Sequence, residues 1–349
     1  MKKGYLVLED GQVFEGRRFG AEADTVGELV FTTGVVGYIE TLTDPSYAGQ
    51  IVMQTYPLIG NVGMISADVE GKCLVKGYVT RELCDAPSNF RTDGDFEQWL
   101  REQNVPGICG VDTRQLTRII RDNGVMNAMI CDEVPADLTV VKTYAVIGAV
   151  AQATCAGAVT LPAEGEEVCR VTVLDCGVKN SVIANLRSRG CAVTVVPASA
   201  SAEDILAAAP SGVLISNGPG DPAESTGLIE TVRGLFGKVP MMGIGLGHQL
   251  MALSAGGTTA KLPYGHRGGN QPVRDLKGKR TYITSQNHGY TVETIGEGEL
   301  RFKNLNDDTC EGIDYPGKNA FSVQFYPDSV GDSAVLYDRF VDMMKGGAL

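Results

Sequence analysis

At 349 residues, with 43% hydrophobic and 21% charged side chains, the chain has the composition of an ordinary globular protein long enough for two domains, each with its own core. Its net charge of −12 is spread without a long single-sign block, which argues against nucleic acid and anionic membranes as partners. No apolar run reaches the ~18 residues of a membrane span, and the short run after Lys2 and Lys3 is closed by Glu9 and Asp10, so neither a span nor a signal peptide is expected and the predicted compartment is cytoplasmic. Nine scattered cysteines form no C-x-x-C pair, which predicts reduced thiols and no zinc site. The three histidines, His248, His266 and His288, leave little material for acid–base chemistry.

Residues 4 to about 36 alternate apolar and polar side chains between glycines, as in Tyr5–Leu8, Gln12–Phe14 and Glu28–Thr32, and predict a run of antiparallel strands. Gly34–Tyr47 and Gln50–Gly63 follow, dense in Gly, Pro and Asn; they are either plain turns or ligand-bearing loops. Asp95–Gln103 and Asp112–Arg121 each open on an aspartate suited to N-capping and predict helices. Residues 1–131 are thus expected to form an α+β domain rich in antiparallel strands. Residues 132–168 turn rich in Ala, Val and Gly and suggest a linker.

From Arg170 onward strands and helices alternate. Val171–Asp175, Val193–Val196 and Val213–Ile215 have strand character, and Ser181–Arg189 and Ala202–Ala209 have helix character. Right-handed crossovers between such strands build a doubly wound, mostly parallel sheet, so residues 169–349 are expected to form an α/β domain. Ser216–Pro222 (Ser-Asn-Gly-Pro-Gly-Asp-Pro) leaves a strand at its C-terminal end, where these sheets bind ligands and bare N–H groups can hold an oxyanion; a plain turn would read the same way.

Val239–Gly257 then runs apolar strand, Gly243-Ile-Gly-Leu-Gly247, and an apolar helix. That is the frame of a nucleophile elbow, in which the middle residue projects from a strained turn above the N-terminus of the next helix. Here the middle residue is Gly245, which has no side chain.

These motifs together resemble the small, glutamine-amidotransferase subunit of carbamoyl phosphate synthase over nearly the whole chain. The N-terminal half carries Leu8-Glu-Asp-Gly11, Gly34-x-x-Gly-Tyr38, Leu42–Tyr47, Tyr56–Gly63, Ser88-Asn-Phe-Arg91 and Asp112-Thr-Arg114. The C-terminal half carries Ser216–Pro222, the elbow, Gly265–Asn270 and Ser285–Tyr290, which class I amidotransferases share more widely. The resemblance implies a class I fold for the second domain and a large-subunit partner that holds ATP and Mg, with no cofactor in this chain. It implies that Ser46, Gly218, Gly220, Leu246, Gln249, Asn287, Gly289 and Tyr290 surround L-glutamine, the Leu246 N–H serving the oxyanion. The family's product feeds pyrimidine and arginine biosynthesis.

In the family a cysteine attacks the carboxamide, a histidine moves the proton, and an acidic residue orients that histidine. The corresponding positions here are Gly245, Tyr326 and Asp328. Glycine cannot form a thioester, and a phenol with an ordinary pKa of about 10 is a poor base at neutral pH. Loss of all three together points to decay of an unused glutaminase, whose chain would persist as a binding and stabilising subunit. Two other readings stay open: an active glutaminase rescued by another residue, Cys176 or His288, or a glutamine-binding interaction protein without a synthase partner. His248 is expected to cap or orient the elbow.

Overall fold

The computed structural model describes residues 2–327 and 333–347. The chain divides into two compact units, residues 1–149 and 150–349. No helix among the described residues is long and apolar enough to cross a membrane.

The first unit is built on seven strands closed into a barrel: β1 (Lys3–Leu8), β2 (Val13–Gly20), β3 (Thr25–Thr32), β4 (Gln50–Gln54), β6 (Gly77–Thr80), β8 (Pro106–Cys109) and β9 (Met126–Cys131). A short parallel pair, β5 (Leu58–Ile59) and β7 (Glu82–Leu83), lies apart from it. The order around the barrel is β1-β2-β8-β6-β4-β3-β9, and β9 returns to β1. The expected antiparallel run is only part of this: β1 pairs antiparallel with β2, but β3 skips β2 and lies parallel to β4. Alternation alone cannot show this, because β4, β6 and β8 are buried on both faces and give no alternation that would say which strand lies beside which. Ile51 and Met53 on one face pack with Leu116 and Ile120 of the helix Thr113–Asn123. Val52 on the other face packs with Phe96 and Leu100 of the helix Phe96–Glu102. Both helices are capped as anticipated: the Asp95 carboxylate accepts from the Gln98 N–H at 2.6 Å and that of Asp112 from Gln115 at 3.0 Å.

Residues 132–168, expected as a linker, carry structure of their own. Helices Thr139–Lys142 and Ala149–Ala153 occur there, and β10 (Val159–Leu161) pairs antiparallel with a strand of the second unit's sheet. The Ala/Val-rich stretch is short of turn residues where those elements form, and their apolar side chains include the fully buried Val141.

The second unit holds a ten-stranded sheet that adds β11 (Cys169–Asp175), β12 (Cys191–Pro197), β13 (Gly212–Ile215), β14 (Met241–Ile244), β15 (Thr258–Asp275), β16 (Thr281–Thr294), β17 (Glu299–Asn304), β18 (Cys310–Tyr315) and β19 (Ala320–Val323). Its order is β10-β12-β11-β13-β14-β19-β18-β16-β15-β17. The run β12-β11-β13-β14-β19 is parallel, as the alternation of strand and helix requires. Beyond β19 the sheet turns antiparallel, a half that the doubly wound reading did not contain. Two apolar clusters cover the parallel half, one with Phe340 and Val341 of the C-terminal helix Val335–Met344, the other with Leu228 and Val232 of the helix Thr226–Leu235.

Candidate active site at the elbow

The elbow forms where β14 ends and the helix Leu246–Ser254 begins. Gly245 sits between them at φ +57°, ψ −113°, a strained left-handed turn open to glycine at little cost. Its N–H donates to the Val323 carbonyl at 2.9 Å, so the turn is pinned to the end of β19. The three glycines of the turn are not equivalent. A Cβ on Gly247 would lie 2.1 Å from the Ile215 carbonyl oxygen, and one on Gly243 2.6 Å from the Met251 sulfur. A Cβ on Gly245 would meet nothing nearer than the Asn217 Cβ at 3.3 Å. Packing therefore dictates the outer two glycines, while the middle position keeps nearly enough room for a side chain.

Beneath the turn, the Gly247 N–H donates to the Ser216 carbonyl at 3.0 Å, and the buried Ser216 hydroxyl donates to the Asn217 carbonyl at 2.8 Å while accepting from the Cys176 N–H at 2.9 Å. The predicted loop residues thus lie against the elbow. Gly218 fits because a Cβ there would lie 2.3 Å from the Cys176 carbonyl oxygen, and Gly220 takes φ +88°. Leu246 stands at the first helical position, where an N–H has no partner within the helix, as an oxyanion donor requires.

Gln249, one turn on, donates from Nε2 to the Tyr290 carbonyl at 2.8 Å and to Gln324 Oε1 at 2.9 Å. This brings together the elbow helix, β16 and the segment after β19. Asn287 and Gly289 lie on β16, Asn287 opposite Arg267 of β15 and Gly289 against the same buried guanidinium. Ser46 belongs to the first unit, in the 3₁₀ turn Pro45–Tyr47, where its N–H donates to the Asp44 carboxylate at 2.9 Å.

The sheet runs the elbow alongside the segment that holds Tyr326, since Ile244 is in register with Val323 and Gln324–Pro327 continues from there. Tyr326 forms an isolated bridge with Ser285, and its ring lies under the Lys179 ammonium at 4.4 Å from the centroid. Lys179 is itself buried, at the start of the helix Asn180–Arg187. A phenol ring in contact with a buried cation stands where the resemblance calls for an imidazole base. Lys179 was not among the sequence candidates, because nothing in its spacing singles it out. Asp328 lies outside the described residues.

The rescue candidates fare poorly. Cys176 is fully buried, and burial pushes its thiol well above the ordinary range, away from the thiolate a nucleophile needs. His288 is held well below its usual pKa, by burial first and then by His266. It contacts the Tyr290 carbonyl at 2.7 Å and Gln286 Oε1 at 3.0 Å rather than the elbow. Of the two roles expected of His248, capping or orienting the elbow, it makes no cap: fully buried, it ties the elbow helix to β19 through Nδ1 and the Ser322 hydroxyl at 2.8 Å, and burial lowers its pKa to about 3.

Residues 6–130 match the family described as carbamoyl-phosphate synthase small chain, CPSase domain, and residues 172–343 match glutamine amidotransferase class-I. The carbamoyl phosphate synthase small chain of Staphylococcus saprophyticus is 44% identical over 99% of this chain and 97% of its own length. The chain belongs to the carbamoyl phosphate synthase small-chain family. Another relative, the carbamoyl phosphate synthase pyrimidine-specific small chain of Bacillus subtilis, is 43% identical over 98% of this chain and 96% of its own. A glutamine amidotransferase structure from Thermotoga maritima covers 51% of this chain and 84% of its own at 16% identity, with a TM-score of 0.40. The family assignment rests on both halves, the small-chain CPSase domain and the class I glutamine amidotransferase domain.

Proposed function

We propose that this small subunit no longer hydrolyses glutamine and serves a large synthase subunit that draws on free ammonia. The observation that carries the reading is the elbow: its strained turn and the helix after it are kept, yet Gly245 offers no nucleophile. Tyr326 supports it, since a phenol, with an ordinary pKa of about 10, stands where the family has an imidazole. The burial of Cys176 weighs against rescue by that thiol. Its product would be carbamoyl phosphate, and the pyrimidine-specific name of the Bacillus subtilis relative supports a role in pyrimidine synthesis; a role in arginine synthesis rests on the family alone. Glutamine is proposed to enter the pocket around Gln249, Asn287 and Tyr290 without being cleaved.

The test is to purify the chain with its large subunit and to measure ammonia release from glutamine beside carbamoyl phosphate formation from glutamine and from ammonium. Synthesis from ammonium alone supports the proposal. Release from glutamine at about 1 s⁻¹ or faster, an ordinary enzymatic turnover, overturns it.

A further inference from the structure

We infer that His266, His288 and Glu311 form a site for a divalent transition-metal ion of the zinc class, next to the Tyr290 carbonyl that also accepts from Gln249 of the elbow helix. His266 on β15 and His288 on β16 are register partners across the antiparallel pair, and Glu311 comes from β18. All three are buried, and one ligand atom from each lies within 4.8 Å of the others. At a Zn–N distance of about 2.0 Å the edge of a tetrahedral site is about 3.3 Å, so each side chain need move by less than about 1 Å.

The surroundings are those of metal ligands. A ligating histidine fixes its orientation by giving its outer N–H to a carboxylate or a carbonyl. His266 Nε2 lies 2.8 Å from the Asp307 carboxylate and His288 Nδ1 2.7 Å from the Tyr290 carbonyl, so each ring turns its other nitrogen inward. The inward His266 Nδ1 is buried without a hydrogen bond, 3.4 Å from Glu311 Oε1. Glu311 is steadied by Gln286 Nε2 at 2.9 Å and Asn304 Nδ2 at 3.2 Å.

Donor counting at His288 gives a second, separate reason. The Thr284 hydroxyl donates to the Gln271 carbonyl at 3.0 Å and therefore accepts from Gln286 Nε2 at 3.1 Å. That fixes the Gln286 amide with Oε1 toward His288 Nε2 at 3.0 Å. His288 then faces two oxygen acceptors, and a neutral imidazole has one N–H. With that hydrogen on the Tyr290 side, the Nε2 lone pair meets an oxygen lone pair. A cation bound at Nε2 relieves the contact and also occupies His266 Nδ1. The competing arrangement, an imidazolium at His266 between Asp307 and Glu311, leaves the His288–Gln286 contact as it is. Two imidazoles and a carboxylate select a zinc-like ion over magnesium or calcium. The absence of C-x-x-C spacing is no obstacle, because the ligands come from three strands and no cysteine.

The full-length chain, stripped with a chelator, is titrated with Zn2+ by calorimetry and with Co2+ by visible absorption, and X-ray absorption is recorded on the zinc form. The proposal expects one saturable equivalent and a nitrogen/oxygen shell with imidazole scattering. His266→Gln and Glu311→Gln should each weaken binding by about 100-fold, at or beyond the 10- to 100-fold typical of losing an outer-shell partner. A sulfur shell, meaning capture by the cysteines, overturns it, as does the lack of a saturable equivalent or an affinity that neither substitution changes. Should a variant fail to fold, the X-ray absorption spectrum of the unaltered chain decides alone.

Discussion

Replacing Gly247 by alanine should damage this protein far more than replacing Gly245, although both belong to one turn. At Gly247 the new Cβ would stand 2.1 Å from the Ile215 carbonyl oxygen, where a carbon–oxygen contact needs about 3.3 Å. The helix must retreat from β13 by about 1 Å, which also lengthens the 3.0 Å hydrogen bond from Gly247 to Ser216. Overpacking of this kind costs about 1–3 kcal/mol and the hydrogen bond about 1 kcal/mol, giving about 2–4 kcal/mol together. At Gly245 the space is nearly sufficient, and the cost is that of an alanine at φ +57°, about 1–3 kcal/mol, less about 0.5–1 kcal/mol for the stiffer unfolded chain. Thermal denaturation of the two variants should show a fall of about 10 °C for Gly247→Ala and about 3–5 °C for Gly245→Ala, using about 2–4 °C per kcal/mol for a unit this size. Equal losses, or the reverse order, would refute the claim that the middle position is unconstrained by packing.

Cys176→Ser should leave ammonia release from glutamine unchanged, and iodoacetamide at pH 7.5 should spare Cys176 in the native chain; peptide mapping after alkylation checks the second point. His248, with its pKa lowered to about 3 against 6.5 when unfolded, favours the native state fully above pH 6.5, and that contribution is lost as pH falls toward 3, because only the unfolded chain takes up the proton. Between pH 6.5 and 5 the loss is about 2 kcal/mol, so His248→Gln should flatten urea-midpoint curves by that amount over the same range. Asp314, buried among Arg339 at 2.8 Å, Lys277 at 2.9 Å and Arg301 at 3.5 Å, holds three cations; Asp314→Ala should cost about 1–2 kcal/mol in urea denaturation, because the cations reach solvent and Lys277 keeps Glu299 and Arg301 keeps Asp275.

The elbow was legible in the sequence because a Gly-x-Gly-x-Gly turn between an apolar strand and an apolar helix has few other uses. The capped helices at Asp95 and Asp112 were legible for the same kind of reason: each cap is a local bond between neighbours in the chain. The barrel closure was not, since it depends on β9 returning to β1 across more than a hundred residues, and apolar runs buried on both faces do not say which strand lies beside which. The antiparallel half of the second sheet was hidden likewise, as β15 and β16 are long, irregular strands whose register shifts at Lys261 and Gly268. His266 and His288 stood out in the sequence only as two of three histidines, and Glu311 did not stand out at all, because three strands bring them together. Lys179 over Tyr326 was invisible for the same reason.

Retention of a recognisable pocket is weak evidence that the pocket still works. Gly243 and Gly247 are required by close packing, Ser216 by its bonds to the elbow helix and to Cys176, His248 by its bond to Ser322, and Gln249 by its bonds to Tyr290 and Gln324. Each would persist under selection for stability alone. The position where the resemblance calls for a nucleophile is the one glycine of the turn whose Cβ would nearly find room, and its φ of +57° favours glycine over any side chain. A glutaminase released from selection would therefore lose its nucleophile first and keep its frame longest. That pattern is the one seen at Gly245. Restoring the missing groups is the sharpest check on this reasoning: Gly245→Cys with Tyr326→His and Asp328→Glu should raise ammonia release from glutamine by at least about 100-fold over the unaltered chain, the lower range for a positioned base, while Gly245→Cys alone should gain little because triad members act as a unit. A triple variant that folds, binds glutamine by calorimetry and still releases no ammonia would mean that the frame, and not only the triad, has drifted from catalysis.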